Sequence, residues 1–253
     1  MGKYIVTCIE DNKNFVTTNS FLKLKKSFKE LKTQKGKIIH IIGSPGTGKS
    51  SNIYHAQQVL GLNMYNTRMA LKNDKVSPKE VYDTFIHAIK EDLSVKTEDK
   101  ACEEISKCDL VLFADYVLDS ESLHRGKVGL GQWMRNNRLK SILFYFILIY
   151  EYLKHLKEFK KVNMVFHTTW TFIVNGKKYD LLTDFSLLSL ILKSVLKLFF
   201  EVIEISYTES ETIEIINNHF KNISLDKIKY YIDIYGNKPR LILKALEKDL
   251  DLE

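Results

Sequence analysis

The stretch from Gly43 to Ser50 constrains this chain more than any other part of it. It reads GSPGTGKS and fits the pattern G-x-x-x-x-G-K-[ST] completely. The apolar run KIIHII comes directly before it, and a helical pattern runs from Lys49 to Leu60 and ends at Gly61. A buried strand, a glycine-rich turn and a helix N-terminus in this order place several backbone N–H groups around one anion. The sequence therefore predicts a phosphate-binding loop.

The residues of this loop have separate expected roles. Glycine permits the backbone angles that turn consecutive N–H groups inward. Lys49 is expected to reach the β and γ phosphates of a nucleotide, and the Ser50 hydroxyl is expected to hold Mg²⁺. The complete set of expected nucleotide contacts is Gly43, Ser44, Pro45, Gly46, Thr47, Gly48, Lys49, Ser50 and Ser51.

The remaining sequence alternates between strand-like and helical stretches. Apolar runs at 109–114, 162–167 and 202–206 have the composition of buried strands, which predicts an α/β fold with a parallel sheet. Asn175 and Gly176 lie between two strand-like segments and predict a hairpin inserted near 170–182. We expect an α/β core over 37–206, preceded at 1–36 by a strand (KYIVTCI) and a basic helix that pack on it. Helices alone are expected over 207–253.

These features together resemble the P-loop NTPases, and the AAA+ and STAND-type ATPases most of all. The loop carries the resemblance, together with Asp115 at the end of the run DLVLFAD and the segment IDIYGNKPRLILKAL near the C-terminus. In that segment a glycine and a proline break the chain before a helix that begins with Arg240. The resemblance implies a three-layer sandwich with a small C-terminal helical lid. It also implies ATP and Mg²⁺ as ligands and ATP hydrolysis as the activity.

The resemblance also assigns roles to single residues. Asp115 would hold Mg²⁺ together with Ser50, Thr168 would sense the γ-phosphate, and Arg240 would face the nucleotide from the lid. In this family a glutamate usually follows the aspartate directly, but Tyr116 stands there in this chain. The candidates for polarising water are then Asp119 and Glu121. The full catalytic set is Lys49, Asp115, Glu121, Thr168 and Arg240.

A basic, glycine-rich segment follows the second motif. It reads HRGKVGLGQWMRNNR, has no acidic residue, and carries Arg125, Lys127, Arg135 and Arg138 around Trp133. Guanidinium groups bind phosphates, and an exposed tryptophan stacks on a base. Three functions fit a mobile loop of this kind: a contact to DNA or RNA, an arginine finger into a neighbouring subunit, and the lid of a small-molecule kinase. The alternative is a solvated loop whose Trp133 packs onto the core.

The charge and the cysteine content indicate which partners and which cellular compartment suit this chain. The net charge is +7 and the pI is about 9.0, which favours phosphate-bearing partners. Three cysteines without paired spacing indicate a reduced, cytoplasmic chain. The apolar run Ile142–Tyr150 is about half the roughly 20 residues that span a bilayer, so it predicts a buried helix and no membrane partner.

The function most consistent with these features is an ATPase that couples ATP binding and hydrolysis to movement of the helical lid. Its expected target is nucleic acid or a protein complex, and assembly into a homo-oligomer fits this class. Two alternatives remain open on sequence alone. One is a P-loop kinase that phosphorylates a small molecule, and the other is a slow nucleotide-gated switch, which Tyr116 would suit.

Overall fold

The computed structural model describes residues 14–66, 70–114, 128–168, 170–174 and 177–250. The strand predicted within KYIVTCI lies outside these ranges. The strands are β1 (Ile38–Ile42), β2 (Met64–Asn66), β3 (Val111–Ala114), β4 (Asn163–His167), β5 (Thr171–Val174), β6 (Lys177–Asp180) and β7 (Glu201–Glu204).

A five-stranded sheet forms the centre of the fold, with the strand order β2-β3-β4-β1-β7. Every pairing in it is parallel. The interior strand β1 is buried along its whole length, because β4 and β7 flank it and helices cover both of its faces. The predicted parallel sheet is confirmed. The sequence pattern does not predict β2, because three residues are too few to show a periodicity.

Helices cover the two faces of the sheet. The described part of the chain has the helices α1 (Asn19–Glu30), α2 (Lys49–Leu60), α3 (Pro78–Asp92), α4 (Glu98–Lys107), α5 (Leu130–Asn136), α6 (Arg138–Lys154), α7 (Leu156–Phe159), α8 (Ser186–Lys197), α9 (Glu209–His219), α10 (Leu225–Tyr235) and α11 (Pro239–Leu250). Alternate β1 side chains point to opposite faces, so Ile39 packs with α1 and α2 while Ile38 packs with α3 and α6. The result is the predicted three-layer α/β sandwich.

The hairpin of β5 and β6 is antiparallel and lies between β4 and α8 in the chain. Thr171 pairs with Asp180 at its open end, and Val174 pairs with Lys177 next to the turn. The predicted hairpin is therefore confirmed, although Asn175 and Gly176 themselves lie outside the described residues. Its open end returns the chain to the carboxyl end of the sheet, next to the phosphate-binding loop.

Helices α9, α10 and α11 form a unit with a core of its own, which we call the helical unit. Its fully buried apolar side chains are Ile216, Ile228, Ile242 and Leu246. Helix α10 is capped at its C-terminus by Gly236, whose φ of +67° favours glycine, and α11 begins at Pro239. Residues 205–250 contain helices and no strand, which are the element types predicted for this part of the chain.

The expectation of an exposed Trp133 is wrong. Trp133 lies in α5 with an exposed fraction of 0%, and its Nε1 donates a hydrogen bond to the Val76 carbonyl at 3.1 Å. Its ring also contacts Phe144 edge to face, at 6.1 Å between centroids. Removing a large aromatic surface from water outweighs the preference of a glycine-rich segment for a loop. Trp133 is therefore a core residue and has no free face for stacking on a base.

The basic residues around Trp133 have different positions along the chain. Arg135 lies within α5 and Arg138 is the first residue of α6, so this part of the predicted loop is helical. Arg125 and Lys127 lie outside the described residues. The prediction of a mobile loop is thus wrong for the second half of the segment, which is helical. For the first half, which lies outside the described residues, it stays a prediction.

The apolar run in α6 is only half buried. Phe144 and Tyr145 face the core, whereas Leu143, Phe146 and Tyr150 are exposed. The prediction of a fully buried helix is therefore wrong for the outer face of α6. Across the described ranges, no helix has both the length and the apolar character that crossing a membrane would require.

Candidate functional site

The phosphate-binding loop connects β1 to α2 at the carboxyl edge of the sheet. Gly46 and Gly48 have φ angles of +95° and +70°, a region that residues with a Cβ rarely adopt. Thr47 closes the turn, since its Oγ1 donates a hydrogen bond to the Ser44 carbonyl at 2.9 Å. Gly48 is the N-cap of α2 and provides no side-chain cap for the first turn of that helix. A turn with two positive φ angles therefore lies at the N-terminus of α2, a helix end that favours anions, as the predicted phosphate site requires.

The Lys49 side chain is buried and folds back over this loop. Its Nζ donates hydrogen bonds to the Gly43 carbonyl and to the Ser44 carbonyl, the second at 3.2 Å. Phosphate oxygens bind an ammonium group more strongly than neutral carbonyl oxygens do. Lys49 is therefore positioned to exchange these contacts for phosphate oxygens.

The residues expected to hold Mg²⁺ are only partly described. Ser50 and Ser51 lie in the first turn of α2 and are half-buried. Asp115 follows β3 directly, but it lies outside the described residues, and so do Tyr116, Asp119 and Glu121. The sheet places β3 two strands away from β1, and the carboxyl ends of both strands lie at the same edge. The Ser50 hydroxyl suits a hard cation, so the described part of the site fits a magnesium nucleotide.

The N-terminus of α11 lies directly against the phosphate-binding loop. The Arg240 backbone N–H donates a hydrogen bond to the Gly46 carbonyl at 3.1 Å. A Cβ on Gly46 would lie only 2.9 Å from the Leu241 Cγ, so glycine at this position also permits the close approach of α11. The predicted first-turn position of Arg240 in this helix is confirmed.

The Arg240 side chain is exposed, and its charge acts on Tyr207. Burial raises the pKa of Tyr207 to about 12, while a hydrogen bond from Asn52 and the Arg240 guanidinium oppose that rise. The Tyr207 hydroxyl accepts from Asn52 Nδ2 at 2.8 Å, and Asn52 lies in α2 one turn after Gly48. Arg240 is thus on the side of the helical unit that faces α2.

Two carboxylates next to the loop are missing from the residues that the sequence predicts. The buried Asp180, at the end of β6, accepts hydrogen bonds from the backbone N–H groups of Trp170 at 2.9 Å and Leu182 at 2.8 Å. Burial raises its pKa to about 6, and the Lys49 ammonium opposes this rise. Asp184 accepts a hydrogen bond from the Ser44 hydroxyl within the loop. The only sequence signal for this pair is two acids, four residues apart, at the end of a predicted hairpin.

Thr168 follows β4, and its hydroxyl contacts the core. The side chain is fully buried, and its Oγ1 lies 2.8 Å from His40 Nδ1. His40 is buried in β1 and stacks on Phe166 with 4.9 Å between ring centroids. Burial lowers the pKa of His40 to about 3. The hydroxyl expected to sense the γ-phosphate therefore already has a partner, and the sensor role of Thr168 stays a prediction.

The buried His40 predicts a pH-dependent stability. Unfolded His40 takes up a proton near pH 6.5, whereas folded His40 does so only near pH 3, so its contribution to stability is lost as the pH falls below about 6.5. Between pH 7 and pH 5 we expect His40→Gln to gain about 2 kcal/mol of unfolding free energy relative to the unmodified protein. Urea unfolding at both pH values measures this difference.

Protonation of Asp180 changes the stability of the protein in the opposite direction over the same pH range. Its folded pKa of about 6 is above the ordinary value, so its contribution favours the folded state as the pH falls through 6. This contribution cancels when His40→Gln is compared with the unmodified chain at each pH. The same substitution at the exposed His87 is the control. A difference at His40 that is independent of pH would contradict the prediction.

Comparisons with known proteins add a likeness of fold. No protein-family model matches the sequence, and no curated protein matches it either. A DNA replication initiation factor is 17% identical with a TM-score of 0.44, and the alignment covers 94% of this chain and 63% of that one. The replication initiator DnaA, bound to AMPPCP and single-stranded DNA, is 14% identical with a TM-score of 0.47 and coverages of 97% and 66%. Drosophila ORC bound to DNA is 11% identical with a TM-score of 0.45 and coverages of 96% and 62%.

The chain spans just under two-thirds of the length of each of these three proteins. The fold of this chain is assigned from its own structure. The loop from Gly43 to Ser50 joins β1 to α2 at the carboxyl edge of a parallel sheet, and helices cover both faces of that sheet. The chain has the three-layer α/β fold of the P-loop NTPases.

Proposed function

We propose that this chain is a Mg²⁺-dependent ATPase of the AAA+ type, in which ATP binding and hydrolysis move the helical unit. The observation that carries the proposal is the contact of α11 with the phosphate-binding loop, through the Arg240 N–H and the Gly46 carbonyl at 3.1 Å. A loop that changes its conformation around a triphosphate changes the surface on which α11 rests. The nucleotide state and the position of the helical unit are therefore linked through this hydrogen bond and through the close packing of Leu241 on Gly46.

Different residues of the loop bind the phosphates of ATP and the Mg²⁺ ion. The N–H groups from Gly46 to Ser50 and the Lys49 ammonium bind the β and γ phosphates, because both present positive charge at the N-terminus of α2. Ser50 and Asp115 hold Mg²⁺, which neutralises phosphate charge. Glu121 is the proposed group that polarises the attacking water in place of a glutamate after Asp115. If it does not do so, the protein is the slow switch already considered.

Arg240 has a specific role in this proposal. A cation in the first turn of α11 opposes the helix dipole, and an anion such as the γ-phosphate across from it offsets that unfavourable placement. Arg240 then prefers the triphosphate state to the diphosphate state, and this difference in affinity is what can close the helical unit.

Replacing Arg240 by alanine should therefore lower the rate of ATP hydrolysis about tenfold or more and change ADP affinity little. Steady-state phosphate release and calorimetric ADP binding measure the two effects. The exposed Lys244 in the same helix gives a matched control, Lys244→Ala. Equal turnover in the unmodified chain and in Arg240→Ala, with equal thermal stability, would contradict the role of the helical unit.

The same assay separates the ATPase from the kinase alternative. Hydrolysis releases phosphate from ATP alone, whereas a kinase transfers the γ-phosphate to a small acceptor and needs that acceptor for turnover. We favour the ATPase because the helical unit places α11 on the loop, and a small kinase has no need of this contact. Nucleotide-dependent change in sedimentation would also support assembly into a homo-oligomer.

Nucleic acid is the proposed target of the ATPase. The net charge of +7 and the acid-free segment around Arg125, Lys127, Arg135 and Arg138 favour phosphate contacts. The buried Trp133 takes no part in them. Fluorescence anisotropy with labelled DNA and RNA should show binding that falls steeply with salt, and changing Arg125, Arg135 and Arg138 to alanine should weaken it. The absence of binding at low salt would instead favour a protein complex as the target.

A further inference from the structure

Asp184 contacts both the phosphate-binding loop and the segment that leads into α11. Its Oδ1 accepts a hydrogen bond from the Ser44 hydroxyl, and its Oδ2 accepts one from the Asp180 backbone N–H at 2.8 Å. The Lys238 Nζ lies 3.7 Å from the same Oδ2. Lys238 directly precedes Pro239, the first residue of α11. One carboxylate thus connects the loop, the end of the β5–β6 hairpin and the helical unit.

The Asp184–Lys238 contact is shielded from solvent. The Asp184 side chain is 13% exposed and the Lys238 side chain is 21% exposed, so their attraction is screened less than that of a surface pair. The hairpin end that carries Asp184 is itself held firmly, because the buried Asp180 accepts two backbone hydrogen bonds there. Asp184 therefore has a fixed position from which to hold Lys238.

Two cations and two carboxylates meet beside the loop in this arrangement. Lys49 lies within electrostatic reach of Asp180, and Lys238 lies beside Asp184. A triphosphate in the loop brings several negative charges to the same place. It attracts both lysines and is repelled by both carboxylates. The Lys238 ammonium group can form a close ion pair with Asp184 or with a phosphate, but it cannot form both pairs at once.

We propose that Asp184 is a positioning residue that holds α11 in its nucleotide-free place through Lys238, and that the phosphates of ATP take Lys238 from it. This inference rests on the proposed function, since it describes how ATP would reach the helical unit. ATP binding then has two results. The Lys238 ammonium adds to phosphate binding, and the start of α11 is released from the hairpin and follows the phosphate.

The test compares two variants that break the same ion pair. In Asp184→Asn the pair is lost and Lys238 becomes available to phosphate, so affinity for Mg²⁺–ATP should rise about threefold or more. In Lys238→Met the pair is lost together with the phosphate contact, so affinity should fall by about the same factor. Removing either charge near the phosphates shifts affinity in these directions by itself, so the double variant decides between the two explanations. Asp184→Asn should raise affinity clearly less in a Lys238→Met background than in the unmodified chain, whereas a charge effect alone would be the same in both backgrounds. Calorimetric titration with Mg²⁺–ATP measures the affinities.

Hydrogen exchange in α11 provides the second readout. Both variants should raise exchange at 239–250 in the nucleotide-free protein, because both remove the contact that holds the start of the helix. Lys193→Met is the matched control, since it breaks the 2.8 Å ion pair between Lys193 and Glu204 outside the loop. It should leave ATP affinity and exchange in α11 unchanged.

A third variant keeps the test independent of any misfolding of Asp184→Asn. Lys238→Arg retains the positive charge and should keep ATP affinity close to that of the unmodified chain, whereas Lys238→Met should not. If the unmodified chain binds no Mg²⁺–ATP, the proposed function fails and this inference fails with it. If it binds, but Asp184→Asn and Lys238→Met shift affinity in the same direction, or Lys238→Met has no effect, only the role of Asp184 is overturned.

Discussion

Replacing Lys49 by alanine should weaken the binding of Mg²⁺–ATP at least about tenfold, because a charge-assisted hydrogen bond contributes roughly 1.5 to 3 kcal/mol. In the structure the Lys49 Nζ lies over the loop, within hydrogen-bonding distance of the Gly43 and Ser44 carbonyls. An ammonium group at this point can turn to a phosphate in the loop without a large movement of the chain. Isothermal titration calorimetry of both proteins measures the loss.

Lys23→Ala is the control for this experiment. Lys23 is exposed on α1 and lies outside the loop, so its removal takes the same charge from the protein without touching the site. It should leave ATP affinity nearly unchanged. Equal affinity in the unmodified chain and in Lys49→Ala would show that Lys49 does not bind the nucleotide, and the loop would lose its proposed role.

Trp133→Ala should lower the free energy of unfolding by about 3 to 5 kcal/mol, the usual range for truncating a buried aromatic side chain. Trp133 is fully buried, packs edge to face on Phe144, and donates its Nε1 hydrogen to the Val76 carbonyl. Alanine removes all of these contacts and leaves a cavity in the core beside Phe144. Urea unfolding at neutral pH gives the difference between the two proteins.

Trp133→Phe separates packing from the hydrogen bond. Phenylalanine keeps most of the ring contact with Phe144 but cannot donate to Val76, so its cost should lie clearly below that of alanine. A loss under about 1 kcal/mol for Trp133→Ala would mean that the ring contributes little to the core. That result would restore the exposed, base-stacking tryptophan that the sequence also allows.

Much of the fold can be predicted from the sequence because the pattern is strong where the sheet is buried. Four of the six residues in KIIHII are isoleucine, and a strand covered on both faces needs a strongly apolar composition. The loop after it is predictable for another reason, since Gly46 and Gly48 occupy backbone angles that other residues rarely adopt. Local rules are sufficient for these elements.

The remaining features depend on contacts between distant parts of the chain. Trp133 is buried because Val76 and Phe144, which are distant in sequence, lie against it, and no local pattern indicates these contacts. Asp184 reaches Ser44 across 140 positions of sequence, and only the return of the hairpin to the sheet edge brings them together. The same applies to His40 and Thr168, whose contact fixes a hydroxyl that a motif alone would assign to the nucleotide.

A crystal structure of the chain with Mg²⁺ and a non-hydrolysable ATP analogue would show whether the loop binds a nucleotide. We expect a triphosphate enclosed by residues 43–50, with the Lys49 Nζ on the β and γ phosphates and no longer on the Gly43 carbonyl. We also expect Ser50 on the metal ion and Arg240 turned toward the γ-phosphate. An analogue bound elsewhere, or a loop in which Lys49 keeps its contact with the Gly43 carbonyl, would contradict this prediction.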